Sequence, residues 1–139
     1  MLHHKSLSVV EARAALAAGL DLARAQSQPM AFAVVDRAGE LIVCERMDGA
    51  AARVLKQAIR KAFTAAEMGR DTAVFGQQLR ERGGDLVQWG DPRLTNLPGG
   101  MVVLLDGDVV GGVGCGGATA TIDMAAAQAM VDAALSAAP

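Results

Sequence analysis

A glycine-bracketed apolar stretch at residues 98–117, PGGMVVLLDGDVVGGVGCGG, constrains the fold more than any other part of the chain. Two apolar runs, residues 101–105 and 109–113, are separated by Asp-Gly-Asp, which is a tight-turn sequence. The stretch therefore predicts a β-hairpin with both strands largely buried. The glycines after the second run predict unpaired amides just before the last helix, where a small ligand can approach the backbone closely.

The segments around this hairpin predict an antiparallel sheet with helices packed on it. Ser8 and Glu11 have the spacing of a capping box, and Gly69 is a helix stop. The predicted helices span residues 9–25, 51–68, 72–79 (capped by Asp71) and 120–137, and the predicted strands span residues 30–36, 40–45, 101–105 and 109–113. Residues 80–97 are the one long irregular segment, and a lid or ligand-contacting loop is expected there.

The composition is typical of a single domain spanning residues 1–139, with residues 1–7 as a mobile terminus. Hydrophobic residues make up 52% of the chain and aromatic residues only 3%, so small aliphatic side chains and methionine must form the core. Such a core favours close packing of helices against strands. So much apolar surface on a small chain also predicts a homo-oligomer, in which a second subunit covers part of it.

Charge and hydropathy argue against several kinds of partner. A net charge of −2 gives no electrostatic reason to expect nucleic acid, and no apolar run approaches the roughly 20 residues of a membrane span. No secretory signal precedes the first helix, so a cytoplasmic protein is expected. The only histidines are His3 and His4 in the terminus, and Cys44 and Cys115 lack metal-ligand spacing, so no metal site is predicted.

Three side chains are candidates for chemistry, and each has a structural alternative. Asp123, in the first turn of the last helix, either caps that helix and the glycine-rich loop or acts as an acid or base. Cys115 lies next to a predicted helix N-terminus that would stabilise a thiolate, or it is a small core side chain. Lys61 lies on the shoulder of a polar helix face that is either merely solvated or part of a site. That face carries Arg53, Lys56, Gln57, Arg60 and Thr64.

The sequence as a whole resembles the GlcG/HbpS family of haem-binding or haem-degrading domains, which is similar to the C-terminal domain of PduO-type proteins. The resemblance rests on FAVVDRAGELIVCERMDGA at residues 32–50, KAFTA at residues 61–65, the stretch at residues 98–117 and Asp123, in this order. It implies an α/β (α+β) domain, profilin-like, with an antiparallel sheet of about five strands flanked by helices. It also implies assembly into dimers or larger rings.

The resemblance further implies a set of functional positions. They are Asp36, Arg46, Asp48, Lys61, Thr64, Gly99, Gly100, Gly114, Gly116, Gly117 and Asp123. Two motifs depart from the family pattern: Met101-Val102-Val103 follows the glycine pair in place of x-P-I, and Cys115 replaces a serine. Haem binding in the family has been tied to histidine ligands, which the predicted core lacks, although methionine or Cys115 remains open as a ligand.

Two functions from different classes are consistent with these residues. The first is a small-ligand-binding protein in which Arg46 or Lys61 pairs with a carboxylate of haem or of another organic acid. The second is a cofactor-independent hydrolase, lyase or tautomerase acting on a small oxo or unsaturated organic acid. In that case Asp123 or Cys115 would move a proton or attack, and the amides of residues 114–117 would stabilise an oxyanion. A purely structural oligomer is a third possibility.

Overall fold

The computed structural model describes residues 1–139 as four α-helices, one 3₁₀ turn and a four-stranded sheet. The helices are α1 (Val9–Ala25), α2 (Ala52–Met68), α3 (Thr72–Glu81) and α4 (Ala120–Ala137), the 3₁₀ turn is Leu86–Trp89, and the strands are β1 (Ala31–Asp36), β2 (Leu41–Arg46), β3 (Gly100–Leu105) and β4 (Asp108–Gly116). The prediction of an antiparallel sheet flanked by helices is confirmed, but the expectation of about five strands is wrong. The sheet has the four strands predicted from the residue pattern, one fewer than the resemblance implies, and the chain between α3 and β3 forms a 3₁₀ turn and irregular backbone.

The sheet has the strand order β2-β1-β4-β3, and every neighbouring pair is antiparallel. Both predicted hairpins are present. Asp106 and Gly107 join β3 to β4 with φ values of 53° and 85°, which is the left-handed geometry that suits a two-residue hairpin turn. The central pair, β1 and β4, is in register from Ala31 opposite Gly116 to Asp36 opposite Gly111.

Helices cover both faces of the sheet. Helices α1 and α4 pack together on one face, α2 lies on the other, and α3 packs beside α2. Alternation along β1 places Phe32 and Val34 in the core with α1 and α4, whereas Ala33 and Val35 pack against α2. The largest buried cluster therefore lies between the sheet and the α1–α4 pair. No helix has both the length and the apolar character that crossing a membrane requires.

Glycines of β4 let α2 lie directly on the sheet. A Cβ at Gly112 would come 2.5 Å from the carbonyl oxygen of Ala62, and a Cβ at Gly114 would collide with the carbonyl oxygen of Ala58. The predicted glycine loop is therefore wrong. Residues 114–116 belong to β4, and the missing side chains of Gly112 and Gly114 are what allows α2 to approach the strand.

The ends of the elements follow local sequence signals, with two corrections. The capping box of Ser8 and Glu11 is present, and Gly69 ends α2 with a φ of 64°. Asp71 does not cap α3 with its side chain; its carboxylate accepts from the Val102 N–H at 3.1 Å instead. Leu7 is buried and its N–H donates to the carbonyl oxygen of Val110 at 2.8 Å, so the terminus is packed from this residue onward.

Candidate functional site

A cleft of about 430 Å³ is lined by the first turns of both α2 and α4. The side chains that bring charge or an amide to it are Arg53, Gln57, Lys61 and Asp123. Its apolar side chains include Pro29, Val54, Leu97 and Pro98. A concave surface with mixed apolar walls and a few polar groups is the usual form of a small-molecule site, so this cleft is the candidate functional site.

A buried ion pair lies at the inner end of the cleft. Lys61 Nζ is 3.3 Å from Asp123 Oδ2, and the two residues are only 4% and 5% exposed. Lys61 Nζ also donates to the carbonyl oxygen of Cys115 at 2.8 Å, and Asp123 Oδ1 accepts from the Ala118 N–H at 3.1 Å. The structure thus brings together two of the predicted site residues that are 62 positions apart in sequence.

The surroundings of Asp123 favour its protonated form more than water does. Burial raises the pKa of this carboxyl group above its ordinary value, and the charge of Lys61 and the Ala118 N–H offset only part of that effect. The carboxylate both ties down the backbone before α4 and lines the cleft. Both interpretations of Asp123 are therefore compatible with the geometry, and a catalytic role stays a prediction.

Cys115 is a core residue. It lies within β4, is fully buried, and its Sγ is 3.3 Å from the Sδ of Met130 on α4. Its N–H donates to the carbonyl oxygen of Gly99 at 2.9 Å, and α4 begins only at Ala120. Burial and the charge of Asp123 raise the pKa of the thiol. The predicted position at a helix N-terminus is therefore wrong, and the position in the core is the one that the alternative of a small core side chain describes; a catalytic role for Cys115 stays a prediction.

Three other predicted ligand-binding residues lie outside the cleft. Arg46 is exposed at the end of β2 and donates to the carbonyl oxygen of Ala50 at 3.0 Å, so it braces the turn before α2. Asp48 is exposed in the same turn. Thr64 is fully buried, and its hydroxyl oxygen accepts from the Thr95 N–H at 3.0 Å, which anchors the irregular segment to α2.

Of the five glycines predicted to bind ligand, only Gly117 lines the cleft. The others are Gly99, Gly100, Gly114 and Gly116. At Gly99, φ is +112° and a Cβ would come 3.0 Å from Lys61 Nζ. A side chain there would also come 2.7 Å from the carbonyl oxygen of Cys115, so glycine at this position leaves room for the hydrogen bond between Lys61 and that oxygen.

Arg53 and Gln57 are cleft residues that the sequence placed only on a general polar helix face. They lie at positions i and i+4 relative to Lys61 at i+8, so all three share one side of α2. That spacing, together with the identity of Lys61 as a site candidate, was the signal that could have singled them out. Only part of the polar face of α2 therefore lines the cleft, since Lys56 and Arg60 do not.

The irregular segment before β3 contributes to the cleft only at its end. Leu97 and Pro98 form part of the rim, whereas Trp89 packs edge-on against Phe75 with ring centroids 5.7 Å apart. Only Leu97 of the predicted segment 80–97 thus lines the cleft, and a lid or ligand-contacting role for the segment stays a prediction, while the tryptophan anchors the segment to α3.

The protein is a small α+β domain. It has a four-stranded antiparallel sheet between helical layers and a charged cleft at the first turns of two helices. The chain belongs to the HbpS-like family, because a family model described as "Haem degrading protein HbpS-like" matches residues 7–132. Protein GlcG of Escherichia coli K12 is 34% identical over 108 residues, which cover 78% of this chain and 79% of that protein. The family resemblance predicted from the sequence is confirmed.

Solved structures agree with this assignment. ORFY of Klebsiella pneumoniae superimposes with a TM-score of 0.89 at 25% identity, covering 97% of this chain and 94% of that one. A double mutant of HbpS from Streptomyces reticuli gives a TM-score of 0.87 at 29% identity, covering 95% and 89%. A PduOC–haem complex gives a TM-score of 0.83 at 26% identity, covering 92% and 94%.

The donor groups of the cleft fit only part of a haem. Arg53 and Lys61 are suited to its carboxylates, but no His, Cys, Met or Tyr lines the cleft to ligate the iron. His3 and His4 precede Ser6 by three and two residues, and the hydroxyl oxygen of Ser6 accepts from the Arg37 N–H just after β1. The cleft begins at the opposite end of β1, and the six residues of that strand span about 20 Å.

Proposed function

We propose that the protein binds a small molecule bearing a carboxylate group, and that the ligand occupies the cleft at the first turns of α2 and α4. The observation that carries this proposal is an uncompensated positive charge in the cleft. Lys61 and Asp123 neutralise each other, whereas Arg53 takes part in none of the four ion pairs of the chain. A guanidinium group binds a carboxylate through two parallel hydrogen bonds.

The backbone at the start of α2 adds to this positive character. Ala51, at the N-cap position, makes no side-chain cap, and the first turn contains no acidic residue. The first amides of the helix therefore lack a side-chain cap, and the helix dipole places a partial positive charge at this end. Because Ala51 and Arg53 both line the cleft, an anionic group can contact the amides and the guanidinium together.

Haem and another organic acid are the two ligand classes that this proposal compares. PduOC, a relative at 26% identity, has been solved as a haem complex, which supports haem. The cleft favours the second class, because it offers groups for carboxylates and none of the usual axial ligands for iron. Haemin is for this reason tested beside small acids rather than in place of them.

We also propose that the protein forms a homo-oligomer and is located in the cytoplasm. Leu41 on β2 and Leu104 on β3 are 47% and 42% exposed, and both belong to edge strands of the sheet. Exposed apolar side chains on an edge strand support association with another copy, since the strand also presents unpaired backbone groups.

Calorimetric titration with a panel of small acids tests the binding proposal. Acetate, glycolate, succinate and 2-oxobutanoate are compared with the corresponding uncharged amides, and haemin is titrated separately by absorbance. We expect saturable binding of at least one acid and none of its amide. Arg53→Ala should weaken binding by about 10-fold or more, because a hydrogen bond to a charged group contributes about 1.5–3 kcal/mol.

Lys56→Ala is the matched control, since Lys56 is on the same helix but does not line the cleft. It should bind like the wild type. Acids that bind equally well to the Arg53→Ala protein, or amides that bind as tightly as acids, would contradict a carboxylate site in the cleft. Saturable haemin binding that Arg53→Ala leaves unchanged would place haem elsewhere on the protein.

A further inference from the structure

We infer that the Lys61–Asp123 pair transfers a proton on a bound 2-oxo acid and so interconverts its keto and enol forms. This inference rests on the proposed function, because it uses the same cleft and the same carboxylate contact. It adds a chemical step that binding alone does not require. The substrate class is a short acid with a carbonyl group next to the carboxylate and a C–H bond beside that carbonyl.

The chemical groups in the cleft limit which reactions it can perform. Among the lining residues there is no Ser, Thr, Cys or His, so the usual hydroxyl, thiol and imidazole nucleophiles are lacking. What remains is a carboxylate and an ammonium group held 3.3 Å apart at the inner end, with Arg53 nearer the start of α2. A base beside a fixed hydrogen-bond donor is the arrangement that enolisation of a carbonyl compound needs.

Asp123 has the capacity to act as the base. Its Oδ1 accepts one hydrogen bond from the Ala118 N–H, and its Oδ2 accepts one from Lys61. A carboxylate offers about four acceptor positions, so about two remain. Burial raises the pKa of Asp123, which makes its ionised form a stronger base than an exposed aspartate.

Lys61 supplies the matching hydrogen-bond donor. An ammonium group has three N–H bonds, and two of them serve the carbonyl oxygen of Cys115 and the carboxylate of Asp123. The third is free for a ligand oxygen in the cleft that Lys61 lines. Because the first two hydrogen bonds hold Nζ in place, little reorganisation is needed when negative charge develops on that oxygen.

The step balances without a cofactor. Asp123 takes a proton from carbon 3 of the acid, and the electron pair of that C–H bond forms the C2–C3 double bond. The carbonyl π electrons move onto the oxygen, which Lys61 stabilises as an enolate. Asp123, which also lines the open cleft, exchanges the proton with solvent and then returns a solvent-derived proton either to carbon 3 or to the oxygen, giving the keto or the enol form. Nothing is oxidised or reduced.

Proton exchange measured by NMR tests the inference directly. 2-Oxobutanoate is incubated with the purified protein in D₂O, and loss of the carbon-3 proton signal is followed against a protein-free sample. We expect the wild-type protein to accelerate the exchange. Asp123→Asn should retain binding by calorimetry yet lose about 100-fold or more of the acceleration, which is the contribution typical of a general base.

Lys56→Ala, outside the cleft, should exchange at the wild-type rate. Lys61→Arg keeps a cationic donor and should retain part of the acceleration that Lys61→Met loses. The accelerated rate should rise with pH as Asp123 ionises. The charged or titratable groups around Asp123 are Lys61, Cys115 and, in the same cleft, Arg53.

The outcomes separate this inference from the proposed function. If 2-oxobutanoate binds but the wild-type protein does not accelerate exchange, proton transfer is overturned and the binding proposal stands. If other acids bind at Arg53 and 2-oxobutanoate does not, the substrate class is wrong. Binding and exchange measured on the wild-type protein distinguish these results, so they hold even if a variant fails to fold. If Asp123→Asn folds and exchanges as fast as the wild type, the assigned base is wrong.

Discussion

Breaking the buried pair by Asp123→Ala should destabilise the protein, and removing both charges should restore much of the loss. Lys61 is 4% exposed in the wild-type protein; in Asp123→Ala it loses its carboxylate partner, and the Ala118 N–H loses its acceptor. Removing one partner of a buried ion pair typically costs about 3–5 kcal/mol. The lower end of that range applies, because burial has already made the charge of Asp123 unfavourable, as its raised pKa indicates.

The expected loss can be converted into a melting temperature. An unfolding entropy of about 2.1 cal/mol/K per residue gives about 0.29 kcal/mol/K for 139 residues. A loss of about 3 kcal/mol then lowers Tm by about 10 °C. The double variant Lys61→Met/Asp123→Ala should melt well above Asp123→Ala alone, because no charge is left buried without a partner.

Urea unfolding followed by far-ultraviolet circular dichroism measures the free energy of unfolding of both variants, since the four helices dominate the signal. Asp123→Asn is the milder comparison, because an amide oxygen still accepts one hydrogen bond. Two results would refute the reasoning: a loss below about 1 kcal/mol for Asp123→Ala, or a double variant no more stable than the single one.

The pH dependence of stability provides an independent check on Asp123. Its pKa in the folded protein lies above the unfolded value of about 3.9, so the folded state binds more protons in the range just above that value. The stability that Asp123 contributes is therefore greatest in acid and falls as pH rises through its folded-state pKa. The difference in unfolding free energy between wild type and Asp123→Asn should shrink from about pH 3 towards neutrality, and a difference that grows would contradict the raised pKa.

Two further predictions concern β4 and the thiols. Gly114→Ala places a Cβ against the carbonyl oxygen of Ala58 and should lower the free energy of unfolding in urea by about 1–3 kcal/mol or more. Gly83→Ala meets nothing within 4 Å but has a φ of +62°, so it should lower that free energy by only about 1 kcal/mol. Equal losses would show that α2 moves away easily. Under native conditions a thiol reagent should modify exposed Cys44 and leave buried Cys115 unreacted, whereas both react in urea; rapid native reaction at two thiols would contradict the core position of Cys115.

Most of the fold could be predicted because its signals are local. Strand and helix periodicity, the capping box at Ser8 and the Asp-Gly turn at Asp106 each depend on neighbouring residues, and the structure places them within a few residues of the predicted bounds. The two hairpins predicted the antiparallel sheet, and the family resemblance named both Lys61 and Asp123 as site positions. It overstated the strand count by one.

The glycine-rich segment could not be interpreted from sequence alone. A missing side chain permits a loop, a close ligand contact or a close helix contact, and all three look the same in the chain. Only the position of α2, whose carbonyl oxygens at Ala58 and Ala62 lie where side chains of β4 would be, shows which of these Gly112 and Gly114 serve. Cys115 was misplaced for the same reason, because its environment depends on the strand it belongs to.

The sequence by itself therefore determined the element order, the antiparallel hairpins and the family, since these follow from spacing and turn chemistry. Tertiary structure alone decided the site. Arg53 enters the cleft and Arg46 does not, although both are polar side chains near the same turn. Lys61 meets Asp123 only because α2 lies flat on β4 and α4 begins just beyond that strand. Contacts between residues so far apart are set by packing, which no local pattern encodes.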